Sequence, residues 1–422
     1  MLRIQPFPAL RPPATPPELV AEVACVPYDV INDDEARELA RGKARSFLHV
    51  IRPEIDLPPE TDHYADIVYR TAAANFQAFQ REGVLVRDAV PGIYLYRQET
   101  TLLGKKVSQT GVVACCHVDD YASGLIKKHE NTRKDKEDDR TRHVIELNAN
   151  AEPVFFLHKD DAEIAALVAR DSGLGTSAVY DFTAPDGVRH TVWAAHDAPA
   201  YVRAFGRLPA AYVADGHHRT ASAARAGAER RAKNPGHTGR EAYNWFMAVL
   251  FPASRLTILP YHRTVKDLGG LTVPLVLQKL GSVGTVEATA NPEPPAPGSF
   301  CVYLGKASGW HKVTLPAASI DRADPIGSLD YVLLTNRVLG PIFGITDLRT
   351  DTRIDFVGGI RGPGELVKRV DAGRDAAAFC MHPVTIDQLI AVADAGQIMP
   401  PKSTWFEPKL RSGLLVNTLG DE

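Results

Sequence analysis

The sequence predicts an α/β protein with mixed sheets. Two observations carry this. Short apolar, strand-like runs alternate with segments whose apolar residues recur at helical spacing. Near the middle of the chain the apolar run AAYVAD stops at Asp215 and Gly216 and gives way to RTASAARAGAERRA, which has strong helix character. The chain has 422 residues, 45% apolar and 23% charged, an ordinary globular balance with room for more than one core. Its net charge of -3 supplies no global basic field, so neither nucleic acid nor a membrane is an expected partner.

The elements follow in order. The start, MLRIQPFPALRPPATPPEL, has prolines where a signal peptide needs an apolar core, and no apolar run approaches a membrane span, so the cytoplasm is the expected location. In VPYDVINDDEARELARG, Asn32 or Asp33 caps a helix, with acids in the first turn where the helix dipole favours them. SFLHVIRPE reads as a strand. ADIVYRTAAANFQAFQREG reads as a helix stopped by Gly83. From residue 92 to 215 strands dominate: GIYLYRQE, VSQTGVVACCHVDD, PVFFLH, HTVWAAH and AAYVAD, with a helix in DDAEIAALVARDSG. NWFMAVLFP is apolar on both faces and reads as a central strand. LTILPYHRTV follows. The Pro-rich stretch 285–298 is the expected boundary, dividing a region 1–284 from a region 299–422. Beyond it come a hairpin turning near Ala307 to Gly309, a helix SLDYVLLTNRVLG capped by Ser328, and alternating strands and helices. The five cysteines form no C-x-x-C, and Cys115 and Cys116 in an apolar run read as buried thiols.

Asp215-Gly216-His217-His218-Arg219 is the segment most suited to chemistry. Gly216 permits a tight turn. The first amides of the helix that follows lack internal partners and favour an anion. Arg219 adds a forked cation suited to phosphate, His217 and His218 add donors or a proton shuttle, and Asp215 offers an acid or a metal ligand. As an alternative, Asp215 is a simple helix cap and the histidines lie on the surface.

A second candidate is GLIKKHENTRKDKEDDRTRH. Its mixed charges suit an exposed loop or helix, while Lys128, His129, Glu130 and Thr132 suit the rim of a phosphate pocket. It lacks the second histidine of a zinc-hydrolase helix. A third is the arm MPPKSTWFEPKLRSG, where Lys402, Ser403, Thr404, Lys409 and Arg411 are donors suited to an anion; packing of the arm is the competing account. YHRTV places a basic pair on a strand end, exposed or functional.

VPYDVI, KHENT, DGHHR, LPYHR and MPPKSTWFEPKLRSGL together resemble the domain-of-unknown-function family 1015, over nearly the whole chain. Around D-G-H-H-R that family is similar to the free L-serine kinases of the ParB/sulfiredoxin-like fold group. The resemblance implies that the strand–turn–helix unit holds nucleotide phosphate through Gly216, His217, His218 and Arg219, with Asp215 as the adjacent metal or substrate acid. It implies a catalytic glutamate, for which Glu130 is the candidate and Asp29 the next.

The expected function is therefore phosphoryl transfer from ATP or ADP, with Mg²⁺ held by Asp215, to a small hydroxyl acceptor, with L-serine first. Lys128, His129, Thr132 and Lys402 are expected around the phosphates. Two alternatives are a non-catalytic nucleotide-binding regulator and a phosphoester hydrolase.

Overall fold

The apolar run around Trp245 does become a central strand, and its surroundings explain the rest. The structure, a computed structural model, describes residues 1–420. Contacts divide the chain into two units: Met1–Leu256 with the segment from Pro408 onward, and Thr257–Glu407. This corrects the expected regions. The Pro-rich stretch supplies a strand and a loop inside the second unit, and the division falls at Leu256. The last segment returns to the first unit because its backbone pairs there: Val416 bridges Leu10, Ser412 bridges Cys25, and Asn417–Thr418 pair with Ala149–Asn150.

In the first unit the elements used below are β1 (Ile4–Gln5), α1 (Asp33–Ala40), α2 (Asp66–Arg81), β2 (Tyr94–Leu102), β3 (Lys105–His117), β4 (Ile126–Lys127), α3 (Lys134–Leu147), β5 (Val154–His158), α4 (Ala162–Asp171), β6 (Tyr180–Thr183), β7 (Arg189–Ala194), α5 (Ala198–Phe205), β8 (Ala211–Asp215), α6 (His217–Lys233) and β9 (Trp245–Pro252). Nine strands form one mixed sheet in the order β4-β8-β5-β9-β3-β2-β7-β6, with β1 paired to β3. β9 lies between β5, to which it is parallel, and β3, to which it is antiparallel. Residues from Phe246 to Phe251 are buried, which is why the run carries no polar alternation. Val154, Phe156, Phe246, Ala248 and Leu250 join Tyr201 and Phe205 of α5 in one core.

Local signals explain several boundaries. Asn32 accepts from the Glu35 amide while Glu35 reaches back to the Asn32 amide, a complete capping box. α2 stops just before Gly83, which has φ +69°. SFLHVIRPE is not a strand: Leu48–Ile51 is a short helix, and Phe47, Leu48, Val50 and Ile51 are all buried in a satellite core. A short apolar run buried on several sides carries no period that tells strand from helix. The charged stretch after KHENT forms α3, and its Asp139, Arg140, Thr141 and His143 are buried rather than solvated. All five cysteines are free and buried. Among the described residues no helix is long and apolar enough to cross a membrane.

The second unit contains β10 (Thr257–Leu259), β11 (Tyr261–Val265), α7 (Val273–Gly281), β12 (Thr285–Thr289), β13 (Ser299–Tyr303), β14 (Trp310–Thr314), β15 (Ile354–Gly358), α8 (Gly362–Asp371), β16 (Ala377–Met381), α9 (Ile386–Asp394) and β17 (Trp405–Glu407). Its main sheet runs β12-β14-β13-β16-β11-β15, and β10 pairs with β17. The expected hairpin is β13–β14. Ser328 caps nothing; the helix Asp330–Leu334 starts after Leu329 without a side-chain cap. His262 and Arg263 do not sit on an exposed strand end, because β11 lies between β15 and β16. Arg263 lies between the rings of Tyr331 and Phe356 and donates to the carbonyls of Tyr261 and Lys402.

Candidate functional site

β8 ends at Asp215, Gly216 takes φ +86° and ψ 37°, and α6 begins at His217. This conformation is open to glycine and strained for other residues. A Cβ at Gly216 would also lie 3.0 Å from Arg219 Nε, so the turn is packed directly against the guanidinium. The cap residue of α6 has no side chain, and its first turn carries no acid. The amides of that turn have no intrahelical acceptors, which makes them donors for an incoming anion. Asp215 is therefore not the helix cap.

Arg219 is 7% exposed and organises the floor of the site. Its Nη1 donates to the Pro153 carbonyl at 2.7 Å, and its Nη2 donates to Asp215 Oδ2 at 3.0 Å. The same Nη2 lies 3.7 Å from Asp29 Oδ2. Its Nε has no hydrogen-bond partner. Burial opposes the charge, but Asp29, Asp215 and Glu152 hold the guanidinium protonated, its pKa raised further. The fork expected to grip phosphate thus holds protein groups instead. Asp215 is engaged at both oxygens: Oδ1 accepts from Lys409 Nζ at 3.2 Å. Burial pushes its carboxyl up, yet Lys409 and Arg219 win and hold it well below the usual carboxylate range.

The KHENT segment joins this turn for a topological reason. β4 runs parallel to β8, with Ile126 opposite Ala211 and Lys127 opposite Tyr212, so the residues after both strands emerge at one end of the sheet. The His129 and His217 rings meet edge to face at 4.5 Å. Glu130 Oε2 lies 3.9 Å from His217 Nδ1. His218 Nε2 accepts from the Arg133 amide at 3.0 Å, so that nitrogen carries no proton. Burial lowers all three histidines, His129 to about 4 and His217 well below its ordinary value, so the pair is neutral near pH 7. Thr132 donates to Glu137 at the start of α3, and the exposed Lys128 stands 5.9 Å from the Tyr121 ring. Lys402 belongs to the second unit, where it has φ +58° and its Nζ lies 5.6 Å from the Tyr261 ring centroid.

Three contributors were poorly legible in sequence. Lys409 was visible as one donor among several, but its partner is 194 residues away. Asp29 is held by its neighbour: the Tyr28 amide donates to Glu152 Oε1 at 3.1 Å, and Ser412 Oγ donates to the same oxygen at 3.2 Å. Glu152 is buried, and desolvation raises its pKa. Arg411 is not free for a ligand: it pairs with the Asp186 carboxylate and donates to His190.

Asp215 does not fit the role of an Mg²⁺ ligand in this arrangement, because each of its oxygens already faces a cation. The carboxylates with open surface are Asp29, 35% exposed, and Glu130, 45% exposed. Among the described residues, metal-like spacing occurs at Asp33, Glu54 and His63, but Arg52 bridges both acids there.

The profile of one family, described as protein of unknown function (DUF1015), matches residues 4–332. The chain belongs to that family. No curated protein matches this DUF1015 chain. Among solved structures it is similar to SbnI with a C-terminal truncation from Staphylococcus aureus, at TM-score 0.38 and 11% identity over 72% of this chain and 87% of that one. It is similar to a free serine kinase in complex with AMP, at TM-score 0.33 and 11% identity over 72% and 92% of the two chains. A conserved hypothetical protein from Pyrococcus furiosus gives TM-score 0.31 and 13% identity over 72% and 95%. These likenesses are distant.

Proposed function

We propose that the Gly216 turn and the N-terminus of α6 bind the phosphates of a nucleotide, ATP or ADP, and that the first unit transfers a phosphoryl group to a small hydroxyl acceptor. The observation that carries this is the convergence at one sheet end of an open helix N-terminus with two partly exposed carboxylates, Asp29 and Glu130, from separate segments. Helix amides neutralise phosphate oxygens, and a nearby carboxylate accepts a proton. Phosphoryl transfer depends mostly on positioning and on neutralising the charge of the transferring group.

In this reading the acceptor oxygen bonds to phosphorus, the bond from phosphorus to the departing nucleotide oxygen breaks, and the hydroxyl proton passes to a carboxylate. Asp29 is the favoured base because it shares the Arg219 nitrogen with Asp215 and so stands over the turn. Glu130 is the second choice. Arg219 and Lys409 position the turn through Asp215. Neutral His217 and His218 contribute their backbone amides to the ligand, their rings being packed beside Glu130 and Arg133. L-Serine is the first acceptor to test on the resemblance of the D-G-H-H-R segment; nothing in the geometry selects it.

The test is phosphoserine formation, followed by mass spectrometry, from L-serine with ATP or ADP and Mg²⁺. Asp29→Asn is expected to abolish turnover while nucleotide still binds, and Glu130→Gln to leave part of it. Nucleotide bound without turnover would favour a regulator. Phosphate released from phosphoserine without nucleotide would favour a hydrolase.

A further inference from the structure

A cavity lies at the other end of the same sheet. Asp215 sits opposite Phe155 at the start of β5, whereas His158 ends that strand three residues later, ~10 Å away along the strand. The cavity beside His158 has a volume of about 370 Å³, within the range of small-molecule sites.

Its walls follow from two periodicities. Alternate residues share one face of a strand, and this brings Val112 of β3 and Leu250 of β9 to the cavity. Residues three and four apart share a helix face, and α4 presents Ile164, Ala165, Val168 and Ala169. The two alanines leave the gap, since a longer side chain at either would extend into it. The middle of the cavity is thus apolar.

Its ends are polar. Arg97 donates through Nε to Thr110 Oγ1 at 3.0 Å and through Nη2 to the Ser172 carbonyl and hydroxyl at 3.1 Å, and it lies 4.8 Å from the Trp193 ring centroid. All of these partners are neutral, so no carboxylate pairs with this partly buried cation. The wall also carries Asp160, Asp161 and Arg255; Asp161 caps α4, and Asp160 accepts from the Ser254 amide. At the other end His158 is fully buried. Its Nδ1 donates to the Lys159 carbonyl at 2.8 Å and its ring packs edge-on against Phe205 at 5.2 Å, so it closes that end of the cavity. Arg97 pairs with Thr110 on β3 and His158 with Pro252 on β9, and β3 and β9 are neighbours. Three strand spacings, ~14 Å, therefore separate the two backbones.

We infer that this cavity is a second ligand site, for a small organic acid with an apolar body. The carboxylate pairs with Arg97, and the body packs between Leu250 and α4. The site is independent of the phosphate-binding proposal. The probe is 3-phenylpropionate, titrated calorimetrically into the whole protein. Binding is expected, weakened about tenfold or more by Arg97→Gln, which removes a charge-assisted bond. It is expected to vanish in Ala169→Leu, with Ala165→Leu as the alternative filler should the first variant misfold by circular dichroism. No binding to the wild type, or the same affinity in wild type, Arg97→Gln and the filled variant, would overturn the inference.

Discussion

Replacing Arg219 by Ala tests the floor of the site most severely. The guanidinium is nearly inaccessible, and it holds Asp215 at 3.0 Å and the Pro153 carbonyl at 2.7 Å. Removing one partner of a buried pair costs about 3–5 kcal/mol, because the remaining charge is left uncompensated. Lys409 still faces Asp215, which moves the figure toward the lower end, and the orphaned carbonyl adds about 1 kcal/mol. Asp29 adds little, since its contact is long and over a third of its side chain meets solvent. A loss of about 4 kcal/mol is expected, or roughly 10 °C in Tm for a domain of this size. Urea unfolding followed by circular dichroism and tryptophan fluorescence reads it. The companion Arg219→Met/Asp215→Asn double variant should recover part of the loss relative to Arg219→Met alone, since both charges go together. A loss below about 1 kcal/mol in Arg219→Ala would refute Arg219 as the hub.

Further outcomes follow from the same geometry. Gly216→Ala should cost about 1–2 kcal/mol, from the positive φ and the 3.0 Å approach to Arg219, and an unchanged urea midpoint would show that the turn relaxes freely. Lys409→Met should lose about 2 kcal/mol and shift the acid limb of stability upward in pH, since Asp215 would lose one of the two cations that keep its carboxyl low. Burial lowers His129 to about 4, His143 to about 3 and His262 to about 4. Between those values and the ordinary value near 6.5 the unfolded chain binds more protons, so stability is full above about pH 6.5 and falls as pH drops, by up to about 1.4 kcal/mol per unit for each histidine. Stability flat between pH 7 and 5 would contradict the burial of these rings.

Much of the site's frame was legible. An apolar run ending at Asp-Gly before an Ala-rich stretch has one economical explanation, and β8, Gly216 and α6 follow it, with α6 starting two residues earlier, at His217. The KHENT and DGHHR segments do meet, because parallel pairing sends both out at one sheet end. What sequence did not carry was direction. Nothing local says that Arg219 turns inward to Asp215 and Pro153 instead of outward to a ligand, since those partners depend on where β5 and α6 pack. Leu48–Ile51 reads equally as strand or helix because burial on several sides erases its period. His262 and Arg263 look like exposed charge until β15 and β16 flank their strand. The return of the segment after Pro408 is set by backbone pairing with residues hundreds of positions away, which leaves no mark in composition.

The central claim is that phosphate sits on the first turn of α6. Amide hydrogen exchange of the peptide spanning residues 211–225, measured with and without saturating ADP, tests it most directly. Protection concentrated at the amides of His217, His218 and Arg219 is the predicted result. ADP shown by calorimetry to bind while these amides exchange as fast as in the free protein, or no ADP binding at all, would contradict it.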